Sequence, residues 1–466
     1  MIGAGLAGLV AAEACADDGR TEILVVEPTG RPGGVLRTVR EDGWLVERSA
    51  DSFLAARPEA IDLVHRLGLD AELVGVDPRV RRALVWDGGR AVPVPAGFRL
   101  LAPGGIRGIL TTPLLSAAGR LRVLAERFVP ARRFGPEESL EAFAVRRLGR
   151  EAFDKLVQPL AAGIWTADPA RLGMAAACPE FLAMERDHGS LWAGERARRR
   201  AGGTEAAGAR YGQFVTLAGG LETLPRRLAE RLVARGTTFL EATATGVSRS
   251  PDGRWTCGLR TVAGVAETIA ADAVVVATSA RAAAPLIAGL DPPLATELSA
   301  VDYAGSAIVS LGYQRDQVAH PLDAAGLVVP RVTGRRLLAV SFSSAKFPGR
   351  APPGCVLLRA FVGGALDPDA LGLSDAELVD LARRDVEAML GIRGDPRRVQ
   401  VDRWAGSMPQ YHVGHADRAA RIAAATDRHA GLALAGAAYT GVGIPQVIAS
   451  GRAAGARALA ALWPVA

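Results

Sequence analysis

Apolar positions along this chain fall into two alternating kinds of run. "LVAAEACADDG" has helical composition and stops at Gly19, and "TEILVVE" is a short run rich in β-branched residues, the pattern of a buried strand. Residues 56–75 predict a helix and turn, and 81–95 a β-hairpin around Asp87-Gly88-Gly89. Residues 96–190 are mostly helical in pattern. "GTEAAGARYG" reads as a loop, followed by a strand end, a Gly-Gly turn and an amphipathic helix in "FVTLAGGLETLPRRLAERLVARG". Residues 238–247, 254–262 and 271–280 predict strands, as do "GLVVP", "RLLAVSFSS" and "CVLLRAFVGG" within 305–365. A helix with a capping-type start follows at Ser374. The final stretch gives a strand, a glycine-rich turn and a long helix with Pro445 in its first turn. No internal repeat or low-complexity tract is present. The expected class is α/β, with α and β parts mixed.

Gly3, Gly5 and Gly8 spell G-x-G-x-x-G, and the strand after the helix closes on Glu27, 24 residues beyond Gly3. That order predicts a dinucleotide site spanning Gly3, Ala4, Gly5, Leu6 and Gly8. Gly5 lets the backbone approach a pyrophosphate at the helix N-terminus, and Glu27 takes ribose hydroxyls. Arg31, Gly33 and Gly34 follow in "PTGRPGGVLRTV". The segment resembles the R-x-G-G element of FAD-containing amine-oxidase-type flavoproteins, which points to FAD. A plain Pro-Gly-Gly turn is the structural alternative. Only Met1 and Ile2 precede the glycines, so the natural protein is expected to begin several residues upstream. A central strand lost from such a fold leaves buried backbone groups unpaired, at roughly 1–3 kcal/mol each.

The expected organisation is a Rossmann-like FAD-binding domain in three parts (1–80, 205–290 and 411–466). A discontinuous substrate-binding domain takes the 81–95 hairpin and 291–410, and a helical, membrane-associating candidate takes 96–190. Composition adds little against this. With 466 residues, 49% hydrophobic and 22% charged, the chain reads as a soluble globular protein. The net charge of +6 comes almost wholly from Arg. No basic run alternates with aromatics, so nucleic acid is not an expected partner, and "RARRR" at 196–200 reads as a solvated loop. Cys15, Cys178, Cys257 and Cys355 show no C-x-x-C spacing, which suits a reducing, cytoplasmic setting and no metal. The uncharged stretch 431–451 holds five Gly and a Pro and is not read as a transmembrane helix. Between 104 and 130, apolar residues mix with Arg107, Arg120, Arg122 and Arg127. A helix on a membrane surface and one packed on the protein itself both give that pattern.

Across nearly its whole length the chain resembles the oxygen-dependent protoporphyrinogen and coproporphyrinogen oxidases of haem biosynthesis. "EPTGRPGGVLRTVREDGWLVERSADSFL", "QPLAAGIWTADPARLGM", "LAGGLETLP", "FSSAKFPGRAP", "MPQYHVGH" and "YTGVGIPQVIASGRAAG" carry the resemblance, in family order. It implies FAD-dependent oxidation of a porphyrinogen to a porphyrin, O2 as the final acceptor and hydrogen peroxide as by-product. It also implies peripheral association with the inner face of the cell membrane and product hand-off to a chelatase. Carried over residue by residue, Ala244 touches the adenine end through its backbone, and Val442, Gly443 and Ile444 lie under the flavin. Arg82 pairs with a substrate propionate, for which a hairpin-end surface Arg is the alternative. Gly163 leaves room for the macrocycle, and Val328, Leu338 and Phe361 form apolar walls, or simply pack the core. Three departures fall near the flavin or the pocket: Ser49-Ala50 for the usual Gly-Pro, Trp165-Thr166-Ala167 for the usual Tyr-Ala-Gly, and Ala437 for an acidic residue.

His412 and His415 are read as structural, and Lys346 fits a porphyrinogen-oxidase loop better than the lysine of amine oxidases. No acid or base stands out. The competing readings are an amine- or carotenoid-type flavin oxidase and a non-catalytic porphyrin or flavin carrier.

Overall fold

The computed structural model describes residues 1–201 and 214–463, so "GTEAAGARYG" lies outside the described residues. Its organising element is a parallel sheet. Leu24–Val26 pairs with Thr238–Leu240, and Val274–Val276 with Leu432–Leu434. Ile2 bridges Val26 on one side and Val276 on the other, joining the two pairs through a two-residue centre. Helix Leu6–Ala16 covers this sheet, and the last helix, Ile444–Leu462, lies against it. Their contact is close because Gly451 and Gly455 have no side chains. A Cβ at Gly451 would stand 2.4 Å from the Ala7 carbonyl oxygen, and one at Gly455 2.6 Å from that of Ala11.

A second sheet has seven strands, in the order Arg398–Pro409, Tyr303–Gln314, Cys355–Gly363, Leu337–Ser341, Gly326–Val328, Ala83–Trp86 and Ala91–Pro93. Every pairing is antiparallel except that of Gly326–Val328 with Ala83–Trp86. One face carries Leu327, Val340, Ala360, Val362 and Val309 into a core with helix Asp375–Leu390. The other face presents Val328, Ala339, Phe361 and Ile308 as one row, since these residues are register partners. Tyr303–Gln314 opens the stretch 305–365, which the sequence marks as strand-rich, whereas Arg398–Pro409 was not foreseen: it is an edge strand and alternates too many polar residues to read as buried.

Residues 104–128 do not form one helix. Thr112-Pro113 breaks them into Ile106–Thr111 and Ala117–Leu124, with a 3-10 turn at Ala125–Phe128. The expectation of a solvated loop at 196–200 is corrected, because helix Leu191–Arg200 runs through it. Ser190 caps that helix, and Arg198 and Arg199 pair with Glu195 one turn earlier, which offsets the charge repulsion. The helical region is pinned by a fully buried pair, Arg147 and Glu126, and Arg147 also donates to Glu185 at 3.1 Å. Removing one member strands a buried charge. Arg147→Met is expected to lower unfolding free energy by about 3–5 kcal/mol in urea titrations, and adding Glu126→Leu should restore much of the loss.

Candidate functional site

The glycine turn is built by three different constraints. A Cβ on Gly8 would stand 2.0 Å from the Gly3 carbonyl oxygen, and one on Gly3, at φ +101°, 2.9 Å from that of Ala277. Those two glycines are demanded by the protein's own backbone. Gly5 is not, since no protein atom lies within 4 Å of where its Cβ would stand. It is the N-cap of helix Leu6–Ala16 and has no side-chain cap, so the N–H groups of the first turn open toward that free space. Ala4 holds the turn in place: its N–H donates to Glu27 Oε2 at 2.9 Å, and its carbonyl accepts from Gly33 N–H at 2.8 Å. Glu27 Oε1 accepts from both the N–H and the hydroxyl of Thr29, and Oε2 keeps a lone pair for a ligand. This open cradle with a carboxylate beside it has the donors and acceptors a dinucleotide needs.

Gly33 and Gly34 pass directly over Gly5, where a Cβ on Gly34 would come within 3.1 Å of the Gly5 Cα. Arg31 shapes this turn: its guanidinium donates to the carbonyls of Pro32, Leu36 and Gly34 and to Glu222. Ala244 sits in strand Ala242–Arg249, where the register slips between Ala244 and Gly246. Glu27 N–H donates to Leu240 just before that strand, which sets Ala244 on the side of the sheet end that carries Glu27.

Val442, Gly443 and Ile444 form the turn into the last helix, with Gly443 as an N-cap that lacks a side-chain cap. Val442 packs on the cluster that contains Val328 and Trp165, whereas Ile444 packs on the cluster that contains Leu6. The turn therefore joins the cofactor side to the apolar row of the large sheet. Across from that row lies helix Gln158–Trp165, entered through a π-helical turn at Phe153–Val157. Gly163 on this helix is exposed, and a Cβ there would find only Val328 Cγ1, at 4.0 Å. Phe361 and Leu338 are half-buried, and Leu338 packs beside Gly364 and Thr166.

Arg82 is not brought to this face, which corrects the propionate expectation. Its side chain is exposed and paired with Asp323. By strand alternation it stands with Leu84 and Trp86, opposite Ala83 and Val85.

The "MPQYHVGH" segment works as a brace. Tyr411 stacks on His415 with ring centroids 4.1 Å apart, and its hydroxyl donates to the Ala437 carbonyl at 2.5 Å. His415 Nε2 donates to Ala438 at 3.0 Å, and Gln410 donates to Trp165 at 3.3 Å. These bonds tie the last strand's exit loop to the end of the Gly163 helix.

Sequence reading missed a buried ionic group at Asp51, Lys346 and Arg359. The signal was present as a lone Arg inside the apolar run "CVLLRAFVGG".

Burial holds the His415 ring neutral, with its pKa pushed down to about 4. The unfolded chain therefore binds a proton that the folded one refuses between the ordinary value and about 4. Thermal stability is expected to fall as pH drops through that window, and His415→Gln should flatten the acid limb of a melting-temperature profile.

Residues 6–459 match the family model described as "Flavin containing amine oxidoreductase". A Bacillus subtilis (strain 168) protein named coproporphyrinogen III oxidase is 33% identical over 99% of this chain and 98% of its own length. The Arabidopsis thaliana chloroplastic protoporphyrinogen oxidase 1 is 29% identical over 96% of this chain and 85% of its own length. A crystal structure from Exiguobacterium sp. 255-15, provisionally named a protoporphyrinogen oxidase, superposes with a TM-score of 0.84 at 30% identity, covering 99% of this chain and 98% of that one. Given the cradle at Gly5 and a family match over almost its full length, the chain belongs to the flavin containing amine oxidoreductase family and is an FAD enzyme.

Proposed function

We propose that this enzyme oxidises a porphyrinogen, protoporphyrinogen IX or coproporphyrinogen III, to the corresponding porphyrin. The observation that carries the reading is the apolar row Val328, Ala339, Phe361 and Ile308 beside a helix that carries no side chain at Gly163. A Cβ at Gly163 would already meet Val328 Cγ1 at 4.0 Å, so the surface offered to a largely apolar macrocycle is the exposed Gly163 with the half-buried Leu338, Ala339 and Phe361. The names of the relatives support that substrate class.

FAD supplies a two-electron acceptor that O2 regenerates, with hydrogen peroxide as product. The chain's own residues hold and orient. The N–H groups at the start of the first helix, at Gly5 and Leu6, face the pyrophosphate, Gly3, Ala4 and Gly8 hold the turn that presents them, and Glu27 accepts from a ribose. Gly33 and Gly34 close over Gly5, and Arg31 keeps that turn in shape. Ala244 borders the adenine end. Val442, Gly443 and Ile444 bring the positive end of the last helix under the ring that accepts electrons. Leu338 joins the apolar wall and excludes water from the reacting carbon. His415 is committed to Ala438, and burial pushes the Tyr411 hydroxyl well above its ordinary range, so neither is poised as a base.

Holoenzyme given both porphyrinogens prepared under nitrogen should, on admission of air, develop porphyrin fluorescence and peroxide together on at least one of them. Flavin-loaded protein that leaves both untouched would overturn the reading. Gly163→Leu places a branched side chain over that surface and is expected to lower kcat/KM by about tenfold or more while the flavin-to-protein ratio stays unchanged.

We also propose peripheral membrane association. No helix among the described residues is long and apolar enough to cross a membrane. Ile106, Leu110, Leu121, Phe128 and Phe134 are nevertheless exposed between 104 and 135, beside the exposed Arg107, Arg127 and Arg133. The one acidic residue in that stretch, Glu126, is buried against Arg147. That surface suits an anionic bilayer and would place hand-off to a chelatase at the membrane. The enzyme should sediment with phosphatidylglycerol vesicles at low salt, and Phe128→Ser with Phe134→Ser should release it.

A further inference from the structure

Arg359 and Lys346 are both buried, and both turn toward one carboxylate. Lys346 Nζ donates to Asp51 Oδ2 at 2.8 Å and to Ser341 Oγ at 3.3 Å. Arg359 Nη1 lies 3.3 Å from the same Asp51 Oδ2, and Nη2 donates to the Ser49 carbonyl. Ser52 donates to Asp51 Oδ1 at 2.8 Å. The other buried charges nearby are matched one to one: Arg48 pairs with Asp402, and Arg350 stands 4.0 Å from Glu47. The group at Asp51 is not matched. It holds two cations and one carboxylate, and Arg359 Nε has no hydrogen-bond partner among the described residues. Despite burial, the two cations keep Asp51 well below the usual carboxylate range.

The position of this group gives the excess charge a use. Ser49 Oγ donates at 2.5 Å to the carbonyl of Val35, the residue after the Gly34 that covers Gly5. Arg359 is one alternate position from Phe361 on the same strand face, is the register partner of Ser341, and lies 5.4 Å from the Phe361 ring centroid. The Ser49–Ser52 segment thus sits between the cofactor turn and the apolar substrate row, with an unbalanced positive charge behind it. In a dry site, such a charge acts on neighbouring electron density far more strongly than it would in water.

We propose that Asp51, Lys346 and Arg359 form a charge-setting triad whose one excess positive charge favours the reduced, negatively charged state of the bound cofactor. Asp51 and Lys346 act as positioning residues of opposite sign: Lys346 supplies the charge, and Asp51 limits it while tying the segment down. The inference rests on FAD being bound at the Gly5 cradle and does not depend on which porphyrinogen is oxidised.

The test is the midpoint potential of the FAD in purified holoenzyme, measured by dye equilibration without substrate. Lys346→Met removes a cation and should lower the equilibrium constant for two-electron reduction by about tenfold, roughly 30 mV. Asp51→Asn removes the carboxylate charge and should raise it by a similar factor, and the double variant should return close to the parent. Lys346→Arg keeps the charge and should leave the potential unchanged. If Asp51→Asn loses its flavin, the Met and Arg variants of Lys346 decide the matter between them. Shifts in the same direction for Lys346→Met and Asp51→Asn would overturn the proposal and mark a merely structural network. So would a potential unmoved by Lys346→Met in protein that retains its flavin. Inactivity toward porphyrinogens with these opposite shifts intact would overturn the substrate reading alone.

Discussion

Close backbone packing at glycine is the constraint on which the rest of this molecule depends. Gly8 lies against the Gly3 carbonyl, and Gly451 and Gly455 lie against the carbonyls of Ala7 and Ala11. Strand, first helix and last helix therefore approach to backbone contact at these positions. The stacking brings two helix N-termini, at Leu6 and Ile444, to the carboxyl edge of one parallel sheet. Two helix ends open toward ligand at one edge make a binding site for an anionic dinucleotide before any charged side chain is counted.

The second sheet turns this cofactor site into a reaction site. Its strands turn one face into a core sealed by helix Asp375–Leu390, while the other carries the apolar row from Val328 to Ile308, half-buried at Ala339 and Phe361. Val442 spans the seam by packing on the cluster that contains Val328. The brace from Tyr411, His415 and Gln410 then fixes the distance between the exit loop of the last strand and the helix that carries Gly163. The helix that carries Gly163 is thereby held from two directions.

Buried charge is handled in two ways here. Arg147 with Glu126 and Glu185, and Arg48 with Asp402, hold elements together with no excess of positive charge. Around Asp51 the count is uneven, and that imbalance lies where the cofactor turn meets the substrate face. A stabilising pair and an electrostatic device use the same residue types, and only the count of partners separates them.

Much of this was legible in the sequence, for local reasons. The glycine turn, Glu27, the hairpin at Asp87-Gly88-Gly89, the capped helix from Ser374 and the strand–turn–helix ending at Ile444 all follow from short-range rules of backbone conformation and apolar period. Side-chain partners did not follow, because they come from residues far apart in the chain. Arg31 and Arg82 carry the charge that an anionic ligand would want, yet Glu222 and Asp323 reach them first. Arg198 and Arg199 looked solvated until Glu195, one helical turn away, accounted for them. The triad joins Asp51 to Lys346, 295 positions along the chain, and to Arg359 beyond it. The sequence by itself determined most of the elements and the cofactor class, since both rest on local steric limits and spacing. Tertiary structure alone decided which charges are spent and which remain, because that depends on what folding brings within a few ångströms and on how little water remains there.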